Sequence, residues 1–302
     1  MPKASLRDIR KRIASVRSTQ QITKAMKMVA TAKLRRAQEN ILANRPYAAK
    51  MLEVLRSLAA RTLPDAHPLL YRREPKRVEL VVFTSDRGLC WAFNKNLISR
   101  AERFLGEEKG AESLTLSFIG RKGRDYFRKK KVPIRQEYVN LFGKVDYPLA
   151  ARIGQDLVKS YVEERVDAIY LLYSEFKSAM QQRVVLVKIL PLASGVLQEE
   201  KGGGKGSSPG ASGTPAAVDY IYEPSEVEIL GKILPMYVEV QIYRALLESL
   251  ASEFGARMTA MENATNNAAE MIDKLTLVYN KARQAAITRE LIEIVSGAEA
   301  LK

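Results

Sequence analysis

A five-residue turn, Ser85-Asp86-Arg87-Gly88-Leu89, stands between an apolar, β-branched stretch and a helical one. In an open α/β sheet, phosphates bind at such a place because backbone N–H groups and a helix N-terminus converge there. The residue pattern does not complete that chemistry: neither G-x-G-x-x-G nor G-x-x-x-x-G-K-[ST] is present. Asp and Gly also shape tight turns without binding anything. Gly120-Arg-Lys-Gly123 is a second glycine-containing turn beside basic residues, and the run GGGKGSS from Gly202 has no strand before it. Cys90 could act as a nucleophile only beside a base. The single histidine, His67, falls outside the expected strand ends. One cysteine forbids an internal disulfide and suits a reducing compartment. One histidine argues against a His-based metal site or a Ser-His-Asp triad. The acidic pairs Glu107-Glu108 and Glu163-Glu164 read as solvated helix faces. These residues predict no catalytic site, no metal and no cofactor.

The elements around them point elsewhere. From Met236 to Ser296 there is no proline and a single glycine, Gly255. Apolar or small residues recur at Leu247, Leu250, Phe254, Met258 and Met261, then at Ala268, Ile272, Leu275, Tyr279, Ala282 and Ala286. The later steps alternate between four and three, a heptad seam. A helix over this stretch spans roughly 90 Å, too long for one ordinary domain, so it needs a partner. Ser225 is a suitable N-cap for it. A second long helix is predicted from Ser5 to about Ala60, with Ser5 and Asp8 at its start and a seam through Leu6, Ile9, Ile13 and Val16 that resumes at Ala30, Leu34, Ala37 and Ile41. Between Arg17 and Met28 the seam thins, which predicts solvent or an outside partner there. Pro46 should bend this helix or mark a joint.

The middle of the chain alternates. Val78–Thr84, Leu114–Ile119, Ile134–Val139, Ala168–Phe176 and Arg183–Leu190 read as strands; Asn94–Leu105, Arg121–Lys130 and Pro148–Arg165 read as helices. The order predicts a Rossmann-like, mostly parallel mixed sheet with helices on its faces and one antiparallel edge. The expected organisation is an N-terminal coiled-coil helix over 1–60, an α/β domain over 76–197, a Gly/Ser-rich flexible linker over 198–218, and a foot segment with the long C-terminal helix over 219–302. The fold class is therefore α/β plus a long antiparallel α-helical coiled coil. No apolar run is long enough for a transmembrane helix.

Charge sharpens the functional question. The chain carries a net +15. Residues 1–56 hold fourteen Lys and Arg against Asp8, Glu39 and Glu53, a local surplus of +11. An acidic partner follows: nucleic acid, a membrane surface or an acidic protein. A basic coiled-coil nucleic-acid binder is one alternative, but the basic face lacks interleaved aromatics. A nucleotide enzyme built around Asp86 is another.

Long collinear stretches resemble the γ subunit of F-type ATP synthases of bacterial type. They are Ile9-Arg-Lys-Arg-Ile-Ala-Ser-Val16, Ile22-Thr-Lys-Ala-Met26, Met28-Val-Ala30, Ala32-Lys-Leu-Arg-Arg-Ala37, Ser85-Asp-Arg-Gly-Leu-Cys90, Asp219-Tyr-Ile-Tyr-Glu-Pro224, Tyr279-Asn-Lys-Ala-Arg-Gln-Ala-Ala-Ile-Thr288, Glu290-Leu291 and Glu293-Ile-Val-Ser-Gly297. The resemblance implies a non-catalytic rotor shaft that couples ion (proton) flow through the c-ring to ATP synthesis or hydrolysis at β. It implies three α and three β subunits, ε and the c-ring as partners, without nucleic acid, and a peripheral place on the cytoplasmic face of the cell (inner) membrane. Carried over by likeness, Lys24, Met26, Lys27, Lys33, Arg35 and Arg36 would meet the acidic lever of β. Arg283, Gln284, Thr288 and Glu293 would meet the upper ring, and Tyr220, Tyr222 and Glu223 would form the foot toward ε and the c-ring. Trp91 departs from the small residue usual in the family, the Gly/Ser-rich linker looks like an insertion, and the paired cysteines of thiol-regulated photosynthetic members are absent.

Overall fold

The computed structural model describes residues 5–61, 67–71, 73–90, 92–108, 112–141, 145–192 and 225–299. The linker at 198–218 and Trp91 lie outside them. Ten elements follow in order: α1 (Leu6–Arg61), β1 (Arg77–Phe83), α2 (Phe93–Glu107), β2 (Ser113–Ile119), α3 (Arg121–Lys129), β3 (Ile134–Tyr138), α4 (Tyr147–Val162), β4 (Ala168–Phe176), β5 (Gln182–Leu190) and α5 (Glu226–Glu299). The chain divides into two compact units, Lys33–Ala256 and the pairing of Met1–Ala32 with Arg257–Lys302.

In the larger unit the strand order is β3-β2-β1-β4-β5. β1 is parallel to β2 and β4, β2 is parallel to β3, and β5 runs antiparallel to β4 at the edge. The expected mixed sheet is therefore present. Strand β1 is central and covered on both faces, which is why its text is nearly all apolar. Val78, Leu80 and Val82 pack with Leu97, Ala101 and Phe104 of α2 and with Phe127 of α3. Val81 and Phe83 pack with Ile153 and Leu157 of α4, Leu55 and Leu58 of α1, and Val238 and Leu246 of α5. Each fully buried side chain of this size contributes about 1.5–3 kcal/mol relative to exposure.

Helix ends match their chemistry. Ser5 Oγ accepts from Asp8 N at 3.2 Å while the Asp8 carboxylate accepts from Ser5 N at 3.3 Å, a reciprocal cap. Asp146 accepts from Leu149 N at 3.1 Å, with Pro148 in the first turn of α4. Ser225 Oγ accepts from Glu228 N at 3.3 Å, and α5 begins there. α1 continues through Pro46 and α5 through Pro235, so neither proline ends its helix. Each removes one N–H from the ladder, but tertiary burial on either side outweighs that local cost. Leu55 and Leu58 follow Pro46, and Leu230 and Leu234 precede Pro235, all at 0–1% exposure.

One polar group is sunk in this core. Glu79, in the middle of β1, is 0% exposed. Its Oε1 accepts from Ser117 Oγ at 2.5 Å and from Arg135 Nε at 2.8 Å. Arg135 reaches on to Asp156 at 2.8 Å, and the Tyr138 hydroxyl donates to the same carboxylate at 3.0 Å. This chain of bonds ties β1, β2, β3 and α4 together. Burial pushes the Glu79 carboxyl above its ordinary range, and Arg135 and Ser117 offset that only partly.

Gly120 joins β2 to α3 at φ +102, a region closed to most side chains, and a Cβ there would lie 1.9 Å from the Thr84 carbonyl oxygen. Gly120→Ala is expected to lower the unfolding free energy by at least about 2 kcal/mol, since a strained backbone and a main-chain clash add. A urea melt of the full chain measures it; a loss below about 0.5 kcal/mol would show that the turn relaxes freely.

Candidate functional site

The crossover direction of the sheet reverses between β1 and β4, so the turn at Ser85 stands at the switch point where α/β folds bind ligands. A phosphate there would need the first N–H groups of α3. They are already engaged within the chain: Arg121 N donates to Asp86 Oδ1 at 3.1 Å, Lys122 N to the Ser85 carbonyl at 3.0 Å, and Gly123 N to Thr84 Oγ1 at 2.9 Å. Asp86 Oδ1 also accepts from Asn140 N at 2.9 Å. The Asp86 carboxylate thus fills the anion position itself. Ser85 N donates to Asn94 Oδ1 at 3.0 Å, and Asn94 Nδ2 donates to Cys90 Sγ at 3.1 Å. Cys90 is buried in that cluster, and His67 is engaged by Leu69 N at 3.2 Å. No group of His, Cys, Asp or Glu able to hold a metal occurs among the described residues. The turn is a self-satisfied structural corner.

The smaller unit offers a different kind of site. Its two helical segments run antiparallel, since partner numbers fall on one as they rise on the other. Arg10 donates to the Tyr279 hydroxyl at 2.6 Å and stacks 5.5 Å from its ring centroid. Thr265 Oγ1 donates to Thr23 Oγ1 at 2.8 Å, and Lys27 Nζ reaches Glu262 at 2.8 Å. The less exposed positions are Ile9, Ile13, Val16, Gln20, Thr23, Lys27 and Ala30 on α1, and Met261, Thr265, Ala268, Ile272, Leu275, Tyr279, Ala282 and Ala286 on α5. Both sets step by four and three throughout. The seam expected to thin between Arg17 and Met28 does not stop; it continues through polar residues, with Thr23 at 8% exposure. A count of apolar residues alone misses it, whereas extending the heptad through Gln20, Thr23 and Lys27 finds it.

The residues assigned by likeness to the β lever separate on this geometry. Lys24 is exposed, whereas Met26 and Lys27 are half-buried and Lys27 is tied to Glu262. Beside Lys24, Ile22, Met28 and Val29 are exposed apolar side chains that the sequence reading did not single out. In the larger unit Lys33, Arg35 and Arg36 are exposed; Lys33 Nζ lies 5.3 Å from the Phe254 ring centroid and Arg35 pairs with Glu39 at 3.1 Å. An exposed pair of this kind contributes up to about 1 kcal/mol, so Arg35 remains available to a partner.

Arg283, Gln284, Thr288 and Glu293 are all exposed on the last part of α5. The pairing that sets Arg10 against Tyr279 brings the start of α1 to the level of about Arg283. Beyond Ala286, every described residue to Ala298 is exposed. Among them are Leu291, Ile292, Ile294 and Val295, at 57–67% exposure. Such a concentration of large apolar side chains marks a surface made for contact. The foot residues Tyr220, Tyr222 and Glu223 lie outside the described residues. No described helix is long and apolar enough to cross a membrane.

Comparison with known proteins agrees on one family. A family model described as ATP synthase matches residues 5–301. Proteins called ATP synthase gamma chain from Geotalea daltonii and Anaeromyxobacter dehalogenans are 50% and 49% identical to this chain, each over 99% of both chains. Among solved structures, a chain from the central stalk and c-ring of the Tetrahymena thermophila mitochondrial ATP synthase aligns with TM-score 0.59 and 26% identity, over 80% of this chain and 99% of that one. A chain from a Euglena gracilis mitochondrial ATP synthase assembly aligns with TM-score 0.69 and 22% identity, over 98% and 94%, which speaks for the fold.

Proposed function

The chain belongs to the γ-chain family of ATP synthase, and from that premise we propose that it is the rotor of the central stalk, a subunit without catalysis of its own. It turns within a ring of three α and three β subunits, stands with ε on the c-ring, and couples ion flow there to ATP synthesis or hydrolysis at β. It sits peripherally on the cytoplasmic face of the cell membrane. The observation that carries this reading is the exposed apolar end of α5, from Ile287 to Val295, on a helix that is otherwise paired. A self-contained enzyme has no use for such an end, whereas a shaft seated in other subunits does. The filled anion position at Asp86 supports the same reading, because nucleotide chemistry then has to reside in another chain.

The remaining roles follow as proposals. Lys24 with Ile22 and Val29, and Lys33, Arg35 and Arg36 further along α1, meet the acidic lever of β through screened, individually weak contacts that can slide. Met26 and Lys27 act partly through the helix pair. Arg283, Gln284, Thr288 and Glu293 meet the upper ring, and Tyr220, Tyr222 and Glu223 face ε and the c-ring. The domain divisions at residues 60, 76, 198 and 219 stand as part of this proposal.

The test is reconstitution of the full chain with α, β and ε. Coupled ATPase is expected only in the assembly, with no turnover by the chain alone. In the same assay, Arg283→Ala and Glu293→Ala are expected to lower turnover severalfold while subunit stoichiometry holds. Robust ATP hydrolysis by the purified chain would overturn the reading, and failure of both variants to assemble would make these residues structural.

A further inference from the structure

The seam between the two helical segments of the smaller unit is weak in apolar material. On α1 only Ile9, Thr23 and Ala30 of this unit are buried, and on the facing part of α5 Met261 and Ala268 are the buried apolar residues. Alanine and half-exposed aliphatic side chains at heptad spacing fit one another almost as well after a slip of seven residues, because each apolar position is replaced by another. Apolar packing therefore fixes the register poorly, and three polar cross-links carry what apolar packing does not: Arg10 to Tyr279, Thr23 to Thr265 and Lys27 to Glu262. A slip by one heptad moves Thr23 opposite Met258 or Ile272, Lys27 opposite Gly255 or Ala269, and Arg10 opposite Ile272 or Ala286. All three bonds are lost together.

Thr23 and Thr265 form the most enclosed of the three. Thr23 Oγ1 donates to the Gln20 carbonyl at 3.0 Å and accepts from Thr265. Thr265 Oγ1 also lies 2.7 Å from the Met261 carbonyl. The two protons can be arranged in either direction along this line, and each hydroxyl keeps a partner in both arrangements. One polar contact at a seam position is the device by which coiled coils select a register at some expense of stability.

We infer that the Thr23–Thr265 contact positions the two helices in register, so that the exposed face at Lys24 and the contact residues at Arg283 and Thr288 keep a fixed angle about the helix pair. Thr23 and Thr265 are positioning residues: they touch no partner and act through the residues the register places. The inference rests on the rotor reading, because only a rotor makes that angle matter to coupling.

The experiment uses the complete ATP synthase assembled with this chain, in Thr23/Thr265 and Thr23→Val/Thr265→Val forms. Each form also carries either Lys27→Cys with Glu262→Cys, which reports the native register, or Lys27→Cys with Ala269→Cys, which reports the slipped one. In the valine form the slipped cross-link is expected to rise at least threefold. In valine-form complexes without the added cysteines, ions pumped per ATP hydrolysed are expected to fall at least twofold, with thermal stability kept. The Thr23→Ser/Thr265→Ser form retains both hydroxyls and is expected to restore register and coupling. An unchanged cross-link pattern in the valine form overturns the inference. So does a serine form no better than valine, including the case where the valine form does not assemble. If the unmodified chain itself gives no coupled pumping, the rotor reading fails instead, while the cross-links still report register.

Discussion

Arg135→Ala is expected to cost the larger unit about 3–5 kcal/mol, the amount typical of leaving one partner of a buried ion pair uncompensated. The reason is Glu79, wholly buried in the central strand, with one carboxylate oxygen already lacking a partner among the described residues. Arg135 is the guanidinium beside it, itself only 21% exposed, and it shares its charge with Asp156. Without it, Ser117 is the remaining printed contact to Glu79. The loss has a pH signature. Glu79 has a folded pKa above its ordinary 4.5, burial being the largest cause. A raised carboxyl takes its proton in the folded state before the unfolded chain does as pH falls. The stability linked to Glu79 is thus greatest below about 4.5 and is lost as pH rises through the folded value. Removing Arg135 raises that value further and widens the window. Urea melts of Arg135→Ala should therefore show a deficit that shrinks on moving from pH 7 toward pH 5. Glu79→Gln in the same background should recover most of it at pH 7. A pH-independent deficit, or no rescue by the amide, would show that lost packing of the arginine stem dominates instead.

Asp156 sharpens the comparison. Desolvation pushes its carboxyl up, yet Arg135 and Tyr138 outweigh that and hold it below the usual carboxylate range. The two acids on one guanidinium therefore respond oppositely, the deeper one resisting ionisation and the outer one favouring it. Replacing Asp156 would leave the Arg135–Glu79 pair in place, so it should cost less than replacing Arg135.

What the sequence disclosed and what it hid divide by range. The strands, their parallel order and the antiparallel edge are local signals: β-branched runs, intervening amphipathic helices and short turns. Ser5, Asp8 and Ser225 are caps read within three residues of their targets. Glu79 was legible only as an oddity inside VELVVF, because its guanidinium arrives from β3, 56 residues away. The Thr23–Thr265 and Lys27–Glu262 contacts span more than 230 residues and use polar side chains at seam positions, where a search for apolar periodicity sees a gap. The turn at Asp86 was ambiguous for the opposite reason. Its local pattern fits a ligand corner or a structural one, and the choice is made by Asn140, which lies beyond β3. The effect of Pro46 was overestimated because a local rule was set against the burial of Leu55 and Leu58, which no local rule contains.

The end of α5 supports the second large effect. Ile292→Asp is expected to leave the isolated chain's unfolding free energy unchanged within about 0.5 kcal/mol, since the side chain is 60% exposed and no described residue covers it. In the assembly the same change should weaken association of this chain with the α–β ring by about 2 kcal/mol, roughly 30-fold, because a carboxylate would replace an apolar group where water is excluded. Leu291→Asp, on an adjoining face, should behave alike. Lys281→Asp reverses a charge on an exposed part of the helix outside this apolar stretch and provides the control, with an effect that fades as salt is raised. The contrast isolates function from folding: a residue that is free in one chain and indispensable in the complex belongs to an interface. Equal assembly by Ile292→Asp and the unmodified chain would mean that the apolar end remains in water and that the shaft is held lower down, at the level of Lys24 and the basic face of α1.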